Sequence, residues 1–562
     1  MKMTMKKIHI YLFLAVMLIA APSCKKFFDI NKNPNRPTEG IAEEVILPKI
    51  IVAWANALPG ASAVGEELVG YTTNAGGVSG WGSFISYKFT PGNGAALWST
   101  PYDNLTDIKV VIDKAKADPN YALLGAAAKV MKAIHFQHLV DTYNNVPYTQ
   151  ANMGVEFVTP EYDNGPDIYK SLAELLDEAI ADINGAGSAA QTLNAASDPL
   201  FKGNMTLWKQ LANTIKLRLI IRGGDKVSFT NKTFSSDGFL AEDALVQPGY
   251  TNVDGKLNPV WSRVYTVAGA QVGGVWQQRV PSFYTLGFYD GNKISDKYRG
   301  NLVYRAYPSP GVNALGRDPG TDAAARVKTP NDWYISLAAT PSATNYAAIG
   351  IVKGPSAAQP IMLASESFFL QAEGALRGII TGNVKDLFNR GILESFKYLN
   401  KNENGSNSSL FVNKTTGKLT TGSGTDIVAI SSQNEFDEYL AEGLNATNRL
   451  VNYDLATSFE QRLEAIITQK YIALNNLFGL ESWNEFRRTR YPVTVSPPTY
   501  PGTRYTSLVS LQSESTAADR LPTRYQYPQN EFNYNGANVK AQGGSGDGGI
   551  IDVFRDKIFW AK

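Results

Sequence analysis

One cysteine, three histidines, a pair of glutamates and an arginine cluster are the residues whose chemistry is easiest to name. Cys24 is the only cysteine among 562 residues, so no intrachain disulfide can form. Of the three histidines, His135 and His138 stand three apart on a predicted helix and share a face. Two imidazoles without a Cys or a His-Glu-x-x-His pattern fall short of a metal site, and packing at the helix edge is the expectation. Glu366 and Glu373 also share a helical face. A glycoside hydrolase needs two carboxylates about 5–10 Å apart, but acidic pairs on helices are common as structural features, and no pair here is singled out. Arg487-Arg488-Thr489-Arg490 could hold an anion. At a helix C-terminus such a cluster more often complements the dipole and pairs with nearby acids. The run Gly543–Gly549 lacks the Lys-Ser/Thr ending of a phosphate loop and reads as a flexible loop. No nucleophile elbow, dinucleotide fingerprint or calcium loop stands in a convincing context. The expectation is no catalytic residue, no cofactor and no metal.

The chemistry that remains belongs to aromatic rings. The chain has 9 Trp, 28 Tyr and 25 Phe, many in polar, Gly/Pro-rich stretches. Asn74-Ala75-Gly76-Gly77-Val78-Ser79-Gly80-Trp81 runs on to Phe84 and Tyr87. Trp276-Gln277-Gln278, Tyr289-Asp290-Gly291-Asn292 and Asn331-Asp332-Trp333-Tyr334 repeat the mixture. Sugar C–H faces pack on rings while hydroxyls need planar polar partners, so such loops suit a saccharide. Asn74, Trp81, Tyr87, Trp276, Tyr289, Asp332 and Trp333 are the predicted ligand contacts, with Trp81 and Trp333 as the leading platforms. The charges nearly cancel, 53 Lys+Arg against 51 Asp+Glu, without a basic stripe. Binding to a nucleic-acid backbone therefore has no electrostatic basis.

Cys24 takes its meaning from position. Lys2, Lys6 and Lys7 precede an apolar run from Ile8 to Ala21, shorter than the roughly 20 residues of a membrane span but suited to a signal-peptide core. Small residues lead to Ala20-Ala21-Pro22-Ser23-Cys24. This looks like a bacterial lipoprotein signal, with cleavage before Cys24 and acylation of it. Ala21 stands where Leu is usual, and Lys25-Lys26 follow the cysteine where surface-exported lipoproteins often carry acids. Residues 1–23 are thus read as signal peptide. Residues 24–40, with Asn33-Pro34 and Arg36-Pro37, read as a lipidated tether. No later segment is expected to reach membrane-spanning length.

The elements that must position the loops are helices. Apolar residues recur with a period near 3.6 at Leu105–Ala115, Leu123–Val140, Ile168–Ile183 and Trp208–Leu219, then at Phe368–Leu376, Phe388–Leu399 and Leu463–Phe478, with Glu481–Arg488 as the last partner. Asp118-Pro119, Asn164-Gly165-Pro166, Gly223-Gly224 and Thr381-Gly382-Asn383 break them. Helices in consecutive pairs follow solenoid logic, each hairpin covering its neighbour. The expected fold is mostly α, with tetratricopeptide-like helical pairs, few short strands and long irregular loops. Length alone allows roughly three or four domains, and the irregular stretches near 225–360 and 490–550 read as elaborations packed on the helical body.

Five blocks in order resemble the SusD/RagB family of nutrient-binding outer-membrane lipoproteins. They are Cys24 with Phe27-Phe28-Asp29-Ile30-Asn31 and Asn33-Pro34; Asp141-Thr142-Tyr143-Asn144-Asn145-Val146-Pro147-Tyr148; Ser365–Glu373 with Leu387–Ile392; Ile466–Leu474 running into Glu481–Thr489; and Leu521–Pro528 with Glu531 and Lys557–Trp560. Asn144 replaces the family's usual Gly. The resemblance implies that residues 41–562 form a single α-rich domain with loop insertions near 225–360 and 490–550. It also implies a non-catalytic, cell-surface binder working beside a SusC-like TonB-dependent transporter, with glycan as the commonest ligand and peptide a known variant. A surface glycan hydrolase and a helical-repeat adaptor are the other readings.

Overall fold

The computed structural model describes residues 45–75, 81–270, 272, 279–318 and 346–562. Among these, nine helices have eleven residues or more: α1 Ile46–Leu68, α2 Ala95–Ala117, α3 Ala122–Tyr143, α4 Gly165–Gly185, α5 Met205–Gly223, α6 Ala364–Leu376, α7 Val384–Asn400, α8 Phe459–Ala473 and α9 Gly479–Thr489. The sequence breakers do physical work at their ends. Asp118 closes α2 in extended backbone, and its side chain accepts the Asn120 N–H of the next turn. Asn204 and Asn383 cap α5 and α7 with side-chain oxygens, and Ser458 with Gln461 forms a capping box on α8. At the C-terminus of α3, Asn144 adopts φ +70°, which explains a Gly or Asn at that position. Its Oδ1 accepts the Phe559 N–H at 2.7 Å.

Helices adjacent in sequence pack on one another, α2 through α5 in series and α6 on α7, with α8 against both α6 and α7. This is the mostly α, tetratricopeptide-like arrangement that the periodicity predicts. Two expectations need correction. Helix α1 has 23 residues and is apolar enough to cross a membrane by length and composition. Its Leu47, Ile50, Ile51, Trp54 and Leu68 are buried in the protein, so it behaves as a core helix. Pro59 lies inside this helix. The predicted helix Leu463–Phe478 stops at Ala473, because Asn475-Asn476 interrupts it and Asn476 takes φ +58°.

Most blocks that carry the family resemblance meet at one buried ionic junction. Asp141 of α3 accepts from Arg222 of α5, from Tyr169 of α4 and from Trp560 Nε1, the last at 3.0 Å. Arg222 also donates to Glu485 at 2.8 Å and to Glu481. Lys470 of α8 lies 3.7, 3.4 and 3.5 Å from Glu366, Glu481 and Glu485. Arg488 grips both oxygens of Glu373 at 2.6 Å each. Arg487 lies 3.6 Å over the Trp483 ring and donates to the Asp141 carbonyl at 2.7 Å. Buried charges require pairing of this quality.

Strands are short. β1 Thr72–Asn74 pairs antiparallel with β3 Arg279–Pro281, and β2 Ala244–Val246 with β4 Gln359–Met362. β5 Phe411–Asn413 lies between β6 Leu419–Thr420 and β7 Ile427–Ala429. Residues Leu47–Lys562 pack as one compact unit.

Candidate ligand-binding surface

The β1–β3 pair matters because of what it gathers at its end. Asn74 faces Arg279 across the ladder. Its Nδ2 donates to the Arg317 carbonyl at 2.9 Å, its Oδ1 accepts the Gly316 N–H at 3.0 Å, and its carbonyl accepts Asn313 Nδ2 at 2.8 Å. One asparagine thus ties residues 313–317 to the strand pair. Arg279 donates to Glu67 at 2.5 Å and lies 5.5 Å over the Trp81 ring. Burial pushes the Glu67 carboxyl up to about 7, with Arg279 opposing and the Glu66 charge adding to the rise. Tyr87 accepts the Ser510 N–H at 3.0 Å, and Gln512 Nε2 donates to the Gly316 carbonyl at 2.6 Å. Residues 510–512 are thereby locked to the same base.

On this base stands a half-exposed cluster of rings and guanidinium groups. Ser282 caps the short helix Phe283–Leu286 by accepting the Thr285 N–H at 3.0 Å. Thr285 Oγ1 donates to the Gly70 carbonyl at 2.5 Å. Gly70 has φ +72°, and a Cβ there would meet Leu508 Cβ at 2.9 Å. The loop leading into Leu508 is rooted by Tyr284, whose hydroxyl lies 3.1 and 3.0 Å from the Pro492 and Val493 carbonyls. It is closed on itself by Val495 N–H to Thr506 O at 2.9 Å and Thr503 N–H to Thr499 O at 2.9 Å. At its tip Tyr500 is 37% exposed. Phe283 contacts Tyr500 and Tyr505 with ring centroids 6.2 and 5.5 Å apart. Arg317 lies 4.4 Å over Tyr500, and Arg504 lies 5.0 and 5.1 Å over Phe283 and Tyr505. Such a surface offers ring faces to C–H groups and guanidinium N–H donors to oxygen.

The predicted contacts distribute unevenly around it. Asn74, Trp81 and Tyr87 are brought together at the base, but at 4%, 4% and 0% exposure they serve packing and leave no open face. Tyr289 is 1% exposed and belongs to the core, where its hydroxyl accepts Asn475 Nδ2 at 2.9 Å. Their expected role as direct contacts is corrected accordingly, because rings in otherwise polar segments are being used to anchor those segments. Trp276, Asp332 and Trp333 lie outside the described residues, as does Cys24. The exposed cluster of Phe283, Tyr500, Tyr505, Arg317 and Arg504 is not singled out by the sequence reading. Its signal was the run Pro497-Pro498-Thr499-Tyr500-Pro501-Gly502, which puts a ring on a tight turn inside the irregular block near 490–550.

The other chemically suggestive residues are structural. His135 is buried between Asn104 and the Met131 carbonyl, each 2.7 Å away, and burial lowers its pKa to about 3. His138 sits 3.2 Å from the Leu97 carbonyl, with its pKa lowered by burial to about 4. Glu366 and Glu373 are ion-paired in the core, to Arg218 at 3.1 Å and to Arg488. Arg490 pairs with Asp519 at 2.8 Å. Among the described residues no group of three or more His, Cys, Asp or Glu is placed to hold a metal ion.

A family model described as "Starch-binding associating with outer membrane" matches residues 34–237. A second, "Susd and RagB outer membrane lipoprotein", matches residues 336–561. None of the curated proteins matches the chain. Solved structures share its fold along nearly the whole length. A SusD homolog from Bacteroides fragilis is 19% identical, with 93% of this chain and 100% of that chain covered and a TM-score of 0.60. A SusD homolog from Bacteroides uniformis is 22% identical, with 92% and 99% covered and a TM-score of 0.62. A chitin-binding SusD homolog from Flavobacterium johnsoniae is 19% identical, with 92% and 97% covered and a TM-score of 0.59.

Proposed function

We propose that this chain, which belongs to the SusD/RagB family of outer membrane lipoproteins, captures a glycan at the cell surface and delivers it to a SusC-like TonB-dependent transporter. The observation that carries the glycan reading is the ring-and-guanidinium surface of Phe283, Tyr500 and Tyr505 with Arg317 and Arg504. Its loops are held by main-chain and buried side-chain hydrogen bonds, so little ordering entropy is lost when a flexible polymer docks. The chitin-binding relative adds support for a saccharide ligand. Trp276, Asp332 and Trp333 are proposed as further contacts on sequence grounds alone. The reading is one of binding without chemistry: Glu366 and Glu373, the acidic pair considered for hydrolysis, are consumed by Arg218, Arg377 and Arg488.

Titration calorimetry of the purified protein against a panel of oligosaccharides tests this. Tyr500→Ala is expected to weaken binding of the responding oligosaccharide by about 1–3 kcal/mol, as loss of a hot-spot ring does, with Tm unchanged because Tyr500 is exposed. A panel without any ligand, or an unaltered affinity in Tyr500→Ala, would count against this surface.

A further inference from the structure

We infer that the saccharide taken by this surface is acidic, its charge carried as carboxylate or sulfate, an inference that rests on the glycan-binding reading above. Most arginines elsewhere in the molecule have fixed partners. Arg222, Arg279, Arg299, Arg377, Arg390, Arg449, and Arg488 each meet a carboxylate within 2.9 Å. Arg487 and Arg524, which lack one, donate to main-chain carbonyls in the core. Arg317 and Arg504 do neither. Among the described residues Arg504 makes no side-chain hydrogen bond or ion pair, only its two ring contacts. Arg317 reaches Asn313 Oδ1 alone, at a long 3.4 Å, besides lying over Tyr500.

A guanidinium over a ring gains about 0.5–1 kcal/mol at an exposed site and keeps its in-plane N–H donors. Those donors form the fork that matches a carboxylate or sulfate in bidentate fashion. The rings hold the two forks in place before a ligand arrives, which removes part of the rotamer cost that a free arginine side chain would bear. Phe283 lies between them, in contact with Tyr500 under Arg317 and directly under Arg504. Two cationic forks around one ring platform suit a sugar polymer that carries anionic groups. The exposed carboxylate of Asp318 follows Arg317 in the chain, so the excess of positive charge here is small. Selectivity is therefore expected from the forks' geometry and less from a long-range field.

The test uses the mature protein with oligogalacturonate and chondroitin sulfate as acidic probes, and with maltooligosaccharide and chitooligosaccharide as neutral ones. Binding to at least one acidic probe, and at least ten-fold weaker binding to both neutral ones, is expected, and the affinity should fall when salt is raised from 0.05 to 0.5 M, as the Debye length shrinks from roughly 14 to roughly 4 Å. Arg504→Gln and Arg317→Gln should each lower acidic-probe affinity ten-fold or more, and Arg504→Lys should recover only part of it. These variants leave the fold intact, because Arg317 holds Asn74 through its main-chain carbonyl. Oligogalacturonate against chondroitin sulfate tells carboxylate from sulfate recognition. If a neutral probe binds in a Tyr500-dependent way and neither arginine variant alters it, the acidic inference falls while the glycan surface stands. If acidic probes bind but Tyr500→Ala and both arginine variants are indifferent, the surface itself is wrong.

Discussion

Arg488 holds both oxygens of Glu373 at 2.6 Å and also donates to Glu485 one turn back on its own helix. With one partner removed, two carboxylates would be left in a site that water does not reach. Arg488→Ala is therefore expected to cost about 3–5 kcal/mol, the range for breaking a buried pair, read as a fall in the urea midpoint with the slope unchanged. The same junction fixes a pH dependence. Burial would raise the carboxyls of Glu373, Glu481 and Glu485, but Arg488, Arg222 and Lys470 outweigh it and hold all three below the ordinary 4.5. A depressed folded pKa contributes stability that is fully present above 4.5 and is lost as pH falls through the folded values. Glu67 and Glu435 act in the opposite sense. Burial raises each to about 7, so their contribution is complete below 4.5 and lost as pH rises through about 7. Chemical denaturation across pH 3–8 should thus show a stability maximum between these limits and a steep loss below 4.5; Glu435→Gln should flatten the decline towards pH 8. Sequence reading assigns the Arg487–Arg490 cluster to pairing with acids, and the ion pairs of Arg488 and Arg490 agree. It could not say which acids, because Glu373 lies 115 residues away from Arg488.

At the scale of elements, helices bounded by sequence breakers were legible, including α3 and α5, which are buried on most sides. α4 and α7 each show one buried face, and their breakers, Gly165-Pro166 and Asn383, mark their starts. α1 was missed for two reasons: its Pro59-Gly60 resembles a turn, and its approach to α9 is made by backbone. A Cβ on Gly65 would stand 2.3 Å from the Gly479 carbonyl carbon, and one on Gly479 would stand 2.5 Å from the Ser62 carbonyl oxygen. Neither glycine has a positive φ, so the requirement is space alone. Gly65→Ala and Gly479→Ala should each destabilise by about 1–3 kcal/mol or more, the usual cost of overpacking. Thermal unfolding would show this, while Gly60→Ala, where a Cβ meets nothing within 4 Å, should be neutral or stabilising. The binding surface was half legible for a related reason. Aromatics in a polar loop pointed to Asn74, Trp81 and Tyr87, which the structure packs together, but a single sequence does not tell a ring that anchors its loop, such as Tyr87, from one that stands exposed on it, such as Tyr500.

At the scale of the whole molecule, the proposed delivery of a ligand to a transporter requires that the helical body be kept near that partner. The long apolar helix among the described residues, α1, spends Leu47, Ile50, Ile51 and Trp54 on the protein core, and those side chains cannot serve two solvents at once. Attachment is therefore proposed to rest on Cys24, the single cysteine, which follows an apolar run from Ile8 to Ala21. Acyl chains contribute about 0.8 kcal/mol per buried methylene, and more than one chain is needed for stable anchoring. Residues 25–40, read in the sequence as a tether, would then join that anchor to the helical body. Cys24→Ser is expected to shift the protein from the membrane pellet to the soluble fraction, with its Tm and oligosaccharide affinity unchanged. The wild-type protein, extracted in mild detergent, should carry with it a barrel-sized TonB-dependent partner. The two results separate anchor from partner: membrane retention of Cys24→Ser together with the barrel would assign attachment to the transporter, and retention without it would remove Cys24 from the account altogether.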